Sequence, residues 1–473
     1  MSESEYPKFG NWQAMKVLGR GGQAIVYKAS DTQAYRENRV IKWFVGDFPI
    51  ERFDRELTAL KKFRNTDGLP TILDSGSHQG HPWISMKFEE GVELHEFVTE
   101  TGPTTATDWL VIALTLTSAL ESVHRVNVTH RDIKPQNILI NISRKATLID
   151  FGLAVIDNQH SQTGVGDVFG TLKFAAPEWD MGTVEWTPKF DIYSLAATLT
   201  FLAYGGFPPQ VLGKSIPSNE DWGDAARNLP DLWQSEILSA CFALEPKQRP
   251  TAAELLGALK NVTPDVFQRE GIVDGQTAEQ IWQVMHRLAN TKKDSRNLLP
   301  WLEIVYSQGH FTGSTHFWYA RELAQTYESL EDFEGSAPYW ETCIEQEPVG
   351  GNISLFRALR KRVEQTPAVM DRATDCLHRA GQAGGFEDKN TDLGYSFIEI
   401  GDYESALRCF EPSDANYPLR ALCHHRLNLE HLENEPTTPH YIRAWMAAAR
   451  RLESSGCTDD AAWLRSQAGP NWR

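Results

Sequence analysis

Apolar and polar positions follow two different rhythms in the two halves of this chain. In the first half, Leu18–Tyr27, Arg39–Trp43, Leu69–Leu73 and Pro82–Met86 alternate or form short apolar runs, the signature of strands. Between them, Phe48–Phe63 carries Phe53, Leu57 and Leu60 about one turn apart, which predicts an amphipathic helix and sets Glu56 beside its buried face. A carboxylate in that position needs a cationic partner. Asp108–His124 reads as a second apolar-faced helix, Ile138–Ile140 and Ala146–Ile149 as short buried strands, and Asp191 opens an apolar helix that runs to Tyr204. From about Thr263 the strand signal fades, and Trp, Tyr, Leu and Ala recur at helical spacing.

Within that second half two segments can be laid over each other. Leu323-Ala324, Tyr327, Asp332-Phe333, Ser336, Trp340 and Pro348 match Leu393-Gly394, Phe397, Asp402-Tyr403, Ala406, Phe410 and Pro418 at a constant offset of 70 residues. This pattern resembles the tetratricopeptide repeat, a helical pair whose large and small positions interlock. One divergent pair around Phe356–Ala380 would fit between the copies, and a pair from Tyr441 to Gln467 could cap the array. Such repeats bury their apolar face only by stacking and form concave binding surfaces, so the resemblance implies docking of a protein partner. An irregular helical bundle without a groove is the alternative.

Composition narrows the picture further. A chain of 473 residues implies two or three domains, and a formal charge of −17 argues against a nucleic-acid-binding surface. The start, Met1-Ser2-Glu3-Ser4-Glu5, has neither the positive nor the apolar stretch of a secretion signal. The longest nearly uncharged stretch, Trp109–Leu120, falls short of the roughly 20 apolar residues that a bilayer requires, so it is expected to be a core helix and no membrane span is expected. Six Cys without paired short spacings suggest reduced thiols and a cytoplasmic location. Cys343, Cys376 and Cys409 are evenly spaced but lack His or Cys at zinc-ligand distances, and read as small apolar helix positions.

The chemistry concentrates in His130-Arg131-Asp132-Ile133-Lys134-Pro135-Gln136-Asn137 and in Asp150-Phe151-Gly152. Phosphoryl transfer needs a carboxylate to orient the attacking hydroxyl, a cation for the charge developing at the γ-phosphate, and oxygen ligands for magnesium. The two motifs resemble those of Ser/Thr protein kinases of the bacterial type. By that resemblance Asp132, Lys134, and the pair Asn137 and Asp150 supply these in order. That resemblance implies an α+β two-lobed protein-kinase fold, with a small mainly β lobe at about 12–88 and a large mainly α lobe at about 89–262. An all-α, tetratricopeptide-like domain would follow at 263–473.

The same resemblance assigns further residues. Leu18, Gly19, Arg20, Gly21, Gly22 and Val26 would cover the nucleotide, where glycines let the backbone approach the phosphates; Ala24 stands at the third Gly position of the family pattern. Lys42 would hold the α- and β-phosphates and pair with Glu56, and Met86 would stand at the back of the adenine site. Gly170–Glu178 resembles the closing motif of the activation segment, with Phe174 where Tyr is usual. Glu178 would pair with Arg249, and Asp191 would hold the catalytic-loop backbone, cap its own helix, or do both. Arg131, beside the catalytic carboxylate, would seek an anion such as a phosphorylated activation segment. Ser161, Thr163 and Thr171 are the hydroxyls available; Thr163 is the first choice, and Thr171 is expected to bond Asp132 and Lys134 instead.

The function implied is an ATP- and Mg²⁺-dependent kinase acting on Ser/Thr hydroxyls of proteins and on its own activation segment. A nucleotide-responsive scaffold acting through its repeats, and an enzyme phosphorylating a small molecule, are the alternatives. The complete polar set argues against the first and the full activation segment against the second.

Overall fold

The computed structural model describes residues 6–31, 38–46, 50–63, 66–156, 172–180, 187–268, 274–289, 292–309, 311–362, 365–386, 390–410, 416–427 and 439–468. A six-stranded antiparallel sheet opens the chain: β1 (Lys8–Phe9), β2 (Trp12–Arg20), β3 (Ala24–Asp31) and β4 (Asn38–Phe44), then, after helix α1 (Ile50–Lys62), β5 (Ile72–His78) and β6 (His81–Lys87). Their order across the sheet is β1-β2-β3-β4-β6-β5. Successive side chains point to opposite faces. Phe9, Trp12, Tyr27, Ile41 and Trp83 cluster on one face, which leaves the residues that alternate with them, Val26, Lys42 and Ile84, aligned opposite one another on the other. β5 runs further than the apolar run Leu69–Leu73 suggests, through the polar Asp74–Ser77. The cause is local: a Cβ at Gly76 would stand 2.6 Å from the Trp83 ring, so only glycine lets β5 lie against that indole.

The remainder of the first unit is mainly helical. β7 (Val92–Glu93) and α2 (Leu94–Thr101) lead to α3 (Ala106–Arg125), followed by the short strands β8 (Val128–Thr129), β9 (Ile138–Ile140), β10 (Ala146–Leu148) and β11 (Val155–Ile156). Then come α4 (Pro188–Tyr204), α5 (Asn219–Arg227), α6 (Ser235–Ala240), α7 (Ala252–Lys260), α8 (Pro264–Gln268) and α9 (Gly275–Arg287). Thr105 caps α3 by accepting from Asp108 N at 3.1 Å, and Arg125 closes its last turn. By length and composition α3 could cross a membrane, but 78% of its apolar window is buried inside this unit, so it is a core helix; no other helix among the described residues passes that test.

The chain divides into compact units at 1–290 and 291–473. The sequence reading places the boundary at 262. The first unit extends further because α9 packs on α3, with Ala278, Ile281, Trp282 and Met285 buried, and because the Lys260 ammonium donates to the Leu288 carbonyl.

The second unit is all helix: α10 (Lys292–Gln308), α11 (Ser314–Ser329), α12 (Phe333–Ile344), α13 (Pro348–Arg360), α14 (Pro367–Ala380), α15 (Thr391–Glu399), α16 (Tyr403–Cys409), α17 (Tyr417–Arg426), α18 (Pro439–Ser454) and α19 (Thr458–Gln467). Consecutive helices pack on each other around one core. The α11/α12 and α15/α16 turns match in detail. Asp332 N donates to Tyr327 O and Asp402 N to Phe397 O, both at 3.0 Å. Asp332 and Asp402 then cap the next helix through Gly335 N and Ser405 N. The α18/α19 turn repeats the form, with Cys457 N on Leu452 O at 2.8 Å. Glu331, Gly401 and Gly456, each one residue earlier, all take positive φ, and the small Ser336, Ala406 and Ala461, four residues beyond each cap, are fully buried. The divergent pair expected near 356–380 corresponds to α13 and α14. All six cysteines are free thiols, and no metal-binding cluster of His, Cys, Asp or Glu occurs among the described residues.

Candidate active site

The turn between β2 and β3 forms the roof. Leu18, Gly19 and Arg20 end β2, Gly21 and Gly22 make the turn, and Gly21 N donates to Ala24 O at 2.9 Å. Beneath it, Lys42 lies opposite Val26 and Ile84, on the same face as Met86, which pairs with Val40. The Lys42 ammonium donates to Glu56 Oε1 at 2.6 Å and to Asp150 Oδ1 at 2.8 Å. Three segments remote in sequence thus meet on one charge. Burial opposes the charge on Lys42, but the Asp150 and Glu56 carboxylates outweigh it and hold its pKa above the ordinary lysine value. For Glu56, burial dominates and raises the carboxyl, against the pull of Lys42. Asp150 goes the other way: the Lys42 charge holds it well below the usual carboxylate range, although its side chain is 43% exposed.

The floor is the loop between β8 and β9. Asp191, fully buried, accepts from His130 N and Arg131 N at 2.8 Å each and from His124 Nε2 at 2.9 Å. The cap position of α4 is Thr187, and Asp191 lies a turn inside the helix, so it holds the loop and is not a cap. Arg131 and Asp150 take φ of 71° and 63°, a costly backbone for residues other than glycine. These hydrogen bonds to Asp191 and Lys42 are what hold that geometry. Asp132 Oδ2 meets Lys134 Nζ at 2.9 Å and Asn137 Nδ2 at 2.8 Å; Oδ1 is buried with no hydrogen-bond partner among the described residues. The Asn137 amide also donates to the Asp132 carbonyl at 2.8 Å. Phe151 is buried between the His130 and Phe63 rings, at 4.6 and 4.9 Å, and burial lowers the pKa of the His130 imidazole.

A family model, the protein kinase domain, matches residues 12–258. The chain belongs to the protein kinase family. Serine/threonine-protein kinase PknD of Mycobacterium tuberculosis is 34% identical over 196 residues, 41% of this chain and 29% of that protein. PknH of the same organism is 36% identical over 197 residues, 40% of this chain and 31% of that protein, and PknE is 31% identical over 209 residues, 43% and 36%. The matched region is thus about a third of the length of these curated relatives.

In this chain Arg249 is enclosed and bidentate to Glu178, at 2.6 and 2.8 Å, with further bonds to the carbonyls of Ala243 and Lys189. The pair expected from the resemblance is therefore formed. Phe174 is buried among Phe201, Phe207 and Trp222, at 5.6–5.8 Å between rings, so its ring is held by aromatic packing. Ser161, Thr163 and Thr171 lie outside the described residues. Sequence reasoning missed His124, which reads only as the end of α3, and the link from Arg52 to Gln23, for which the spacing of Arg52 one turn before Glu56 was the available signal.

Proposed function

We propose that the chain transfers the γ-phosphoryl group of ATP to Ser and Thr hydroxyls of proteins. The observation that carries this reading is the meeting of Lys42, Glu56 and Asp150 above an Asp132 whose buried Oδ1 has no partner among the described residues. That oxygen is where an acceptor hydroxyl would bond. Asp132 would orient the hydroxyl and take its proton as the new O–P bond forms and the bond from the γ-phosphorus to the bridging oxygen of ADP breaks. Lys134, beside Asp132, would balance charge on the transferred group, and Lys42 would hold the α- and β-phosphates. The hard oxygens of Asn137 and of an Asp150 kept ionised by Lys42 suit magnesium, which keeps much of its coordination for water and phosphate. Bound there, the ion would neutralise phosphate charge.

Arg131 adds a regulatory reading. Burial, with Arg55 nearby, lowers its pKa to about 10, and two neighbouring cations favour an anion between them. Phosphorylated Thr163 or Ser161 would supply it by autophosphorylation. The repeated turns of the second unit support tetratricopeptide-like stacking and a docking role for a protein partner, and the six free thiols suit the cytoplasm. The complete polar set, assembled in space, disfavours the scaffold alternative. Incubating the purified protein with labelled ATP and Mg²⁺ and mapping phosphosites by mass spectrometry tests the reading; label on neither the protein nor a Ser/Thr peptide, in wild type as in Asp132→Asn, would overturn it.

A further inference from the structure

Arg52 and Glu56 stand one helical turn apart on α1. While Glu56 reaches Lys42, the guanidinium of Arg52 donates from Nη1 to Gln23 Oε1 in the turn between β2 and β3. The same head group lies against Gly152: a methyl group there would come within 3.0 Å of Arg52 Nη2 and 3.3 Å of its Nε, and within 3.0 Å of Asp150 Oδ1. One side chain therefore touches the Gly-rich turn from below and the Asp150–Gly152 segment from the side. The turn's main chain is fixed at the same point, since Val45 N donates to Gln23 O at 3.1 Å.

We propose that Arg52 is a positioning residue that clasps the Gly-rich turn over bound nucleotide. The inference rests on the ATP-dependent reading above. Arg52 and Glu56 move as one body because they share a helix, so a displacement of α1 that parts Glu56 from Lys42 also carries Arg52 away from Gln23. Closure of the roof is thereby tied to assembly of the ion triad. Gly152 is the opening that admits the guanidinium, so the clasp also reports that Asp150 is in place. Among the described residues Arg52 makes no ion pair. Its acceptor is a neutral amide, a weaker partner than a carboxylate, which suits a contact that must release when ADP leaves.

The test compares wild type, Gln23→Ala, Arg52→Ala, the double variant and Gln23→Glu. MgATP affinity is read by displacement of a fluorescent nucleotide, kcat and the ATP KM on a generic Ser/Thr peptide, and folding by thermal unfolding. Each single alanine variant is expected to raise Kd and KM for ATP about three- to tenfold, the effect of one lost hydrogen bond, with kcat changed less than about twofold. The double variant should be no worse than Arg52→Ala, because that variant already lacks the contact to Gln23. Gln23→Glu should slow nucleotide release, and only while Arg52 is present. Gln23→Ala changes a partly exposed turn, so the question stays answerable even if Arg52→Ala misfolds. Unchanged affinity in Gln23→Ala, or additive losses in the double variant, would overturn the clasp alone. Absence of MgATP binding in wild type would bring down the kinase reading and the clasp together.

Discussion

The two units of this chain use buried polar groups for opposite purposes. In the first unit, buried charge joins segments far apart in sequence: Lys42 to Asp150, Arg249 to Glu178, Asp191 to the backbone of the loop that carries Asp132. Each costs desolvation, and each ties down a segment of the candidate site. In the second unit, cohesion comes from large side chains meeting small ones, with Ser336, Ala406 and Ala461 buried at equivalent places. Its buried carboxylate, Asp460, is satisfied by Tyr403 Oη at 2.8 Å and Arg426 Nε at 2.6 Å, and reads as structural. Polar substitutions should therefore cost function in the first unit, and changes of volume should cost stability in the second.

The sharpest break of that comparison is Asp132→Asn. Transfer is expected to fall about 10²- to 10⁴-fold, the range for a lost catalytic base, with MgATP binding retained because the carboxylate does not hold nucleotide. Activity above a few per cent of wild type would remove Asp132 from its role. Next is Arg249→Ala, which leaves Glu178 without its buried partner. A loss of about 3–5 kcal/mol is expected in denaturant unfolding of the first unit, the scale for breaking a buried pair. A smaller loss, about 1–3 kcal/mol, is expected for Ala406→Leu, which overfills the contact between α15 and α16. It should appear only in the second unit's transition, with kcat on a generic peptide unchanged; a drop in kcat would show that function also depends on volume there.

Acid should separate the two carboxylates on Lys42. Burial raises Glu56, so it takes up a proton first as pH falls and its ion pair with Lys42 is lost. Asp150, held low by Lys42, contributes stability above the unfolded carboxylate value and gives it up only as pH falls through its lower folded value. MgATP binding measured against pH should decline in two steps, and Glu56→Gln should abolish the first. A single step unaltered by Glu56→Gln would contradict the order.

Much of the candidate site was legible because the motifs that carry the kinase resemblance leave few residue types open at each position. Lys42 with Glu56 and Glu178 with Arg249 are brought together as the resemblance implied, and the amphipathic reading of Phe48–Phe63 set Glu56 inward. What could not be read are choices made by tertiary context. The apolar face of α9 is plain in Ile281, Trp282 and Met285, but periodicity does not say which core receives it, and α3 does. Asp191 opens an apolar run and so resembles a cap, yet α4 begins earlier, at Pro188, whose fixed φ suits a first turn. Polar Asp74–Ser77 pairs in β5 because Trp83 fills the space that Gly76 vacates. Gln23 stands between assigned positions of the Gly-rich turn and Arg52 one turn before Glu56, and only the fold shows them touching.

The smallest expected effect bears most directly on the division of labour between the units. Every group assigned to catalysis lies in the unit ending at 290, so a chain ending there should fold and keep kcat on a generic peptide within about twofold. A chain ending at 262 lacks α9 and uncovers the part of α3 on which α9 packs; it should unfold more readily, which separates lost packing within the first unit from a regulatory contact. On a protein substrate that docks on the helical unit, the 290-residue chain should lose efficiency through KM, because tethering raises effective concentration and leaves the chemical step untouched. If kcat on the generic peptide instead shifts tenfold or more in either direction, about 1.4 kcal/mol in the barrier, the helical unit acts on the active site itself. The volume-based cohesion of the second unit would then be the means of holding a regulator in shape, and Ala406→Leu should reproduce part of that shift in the full chain.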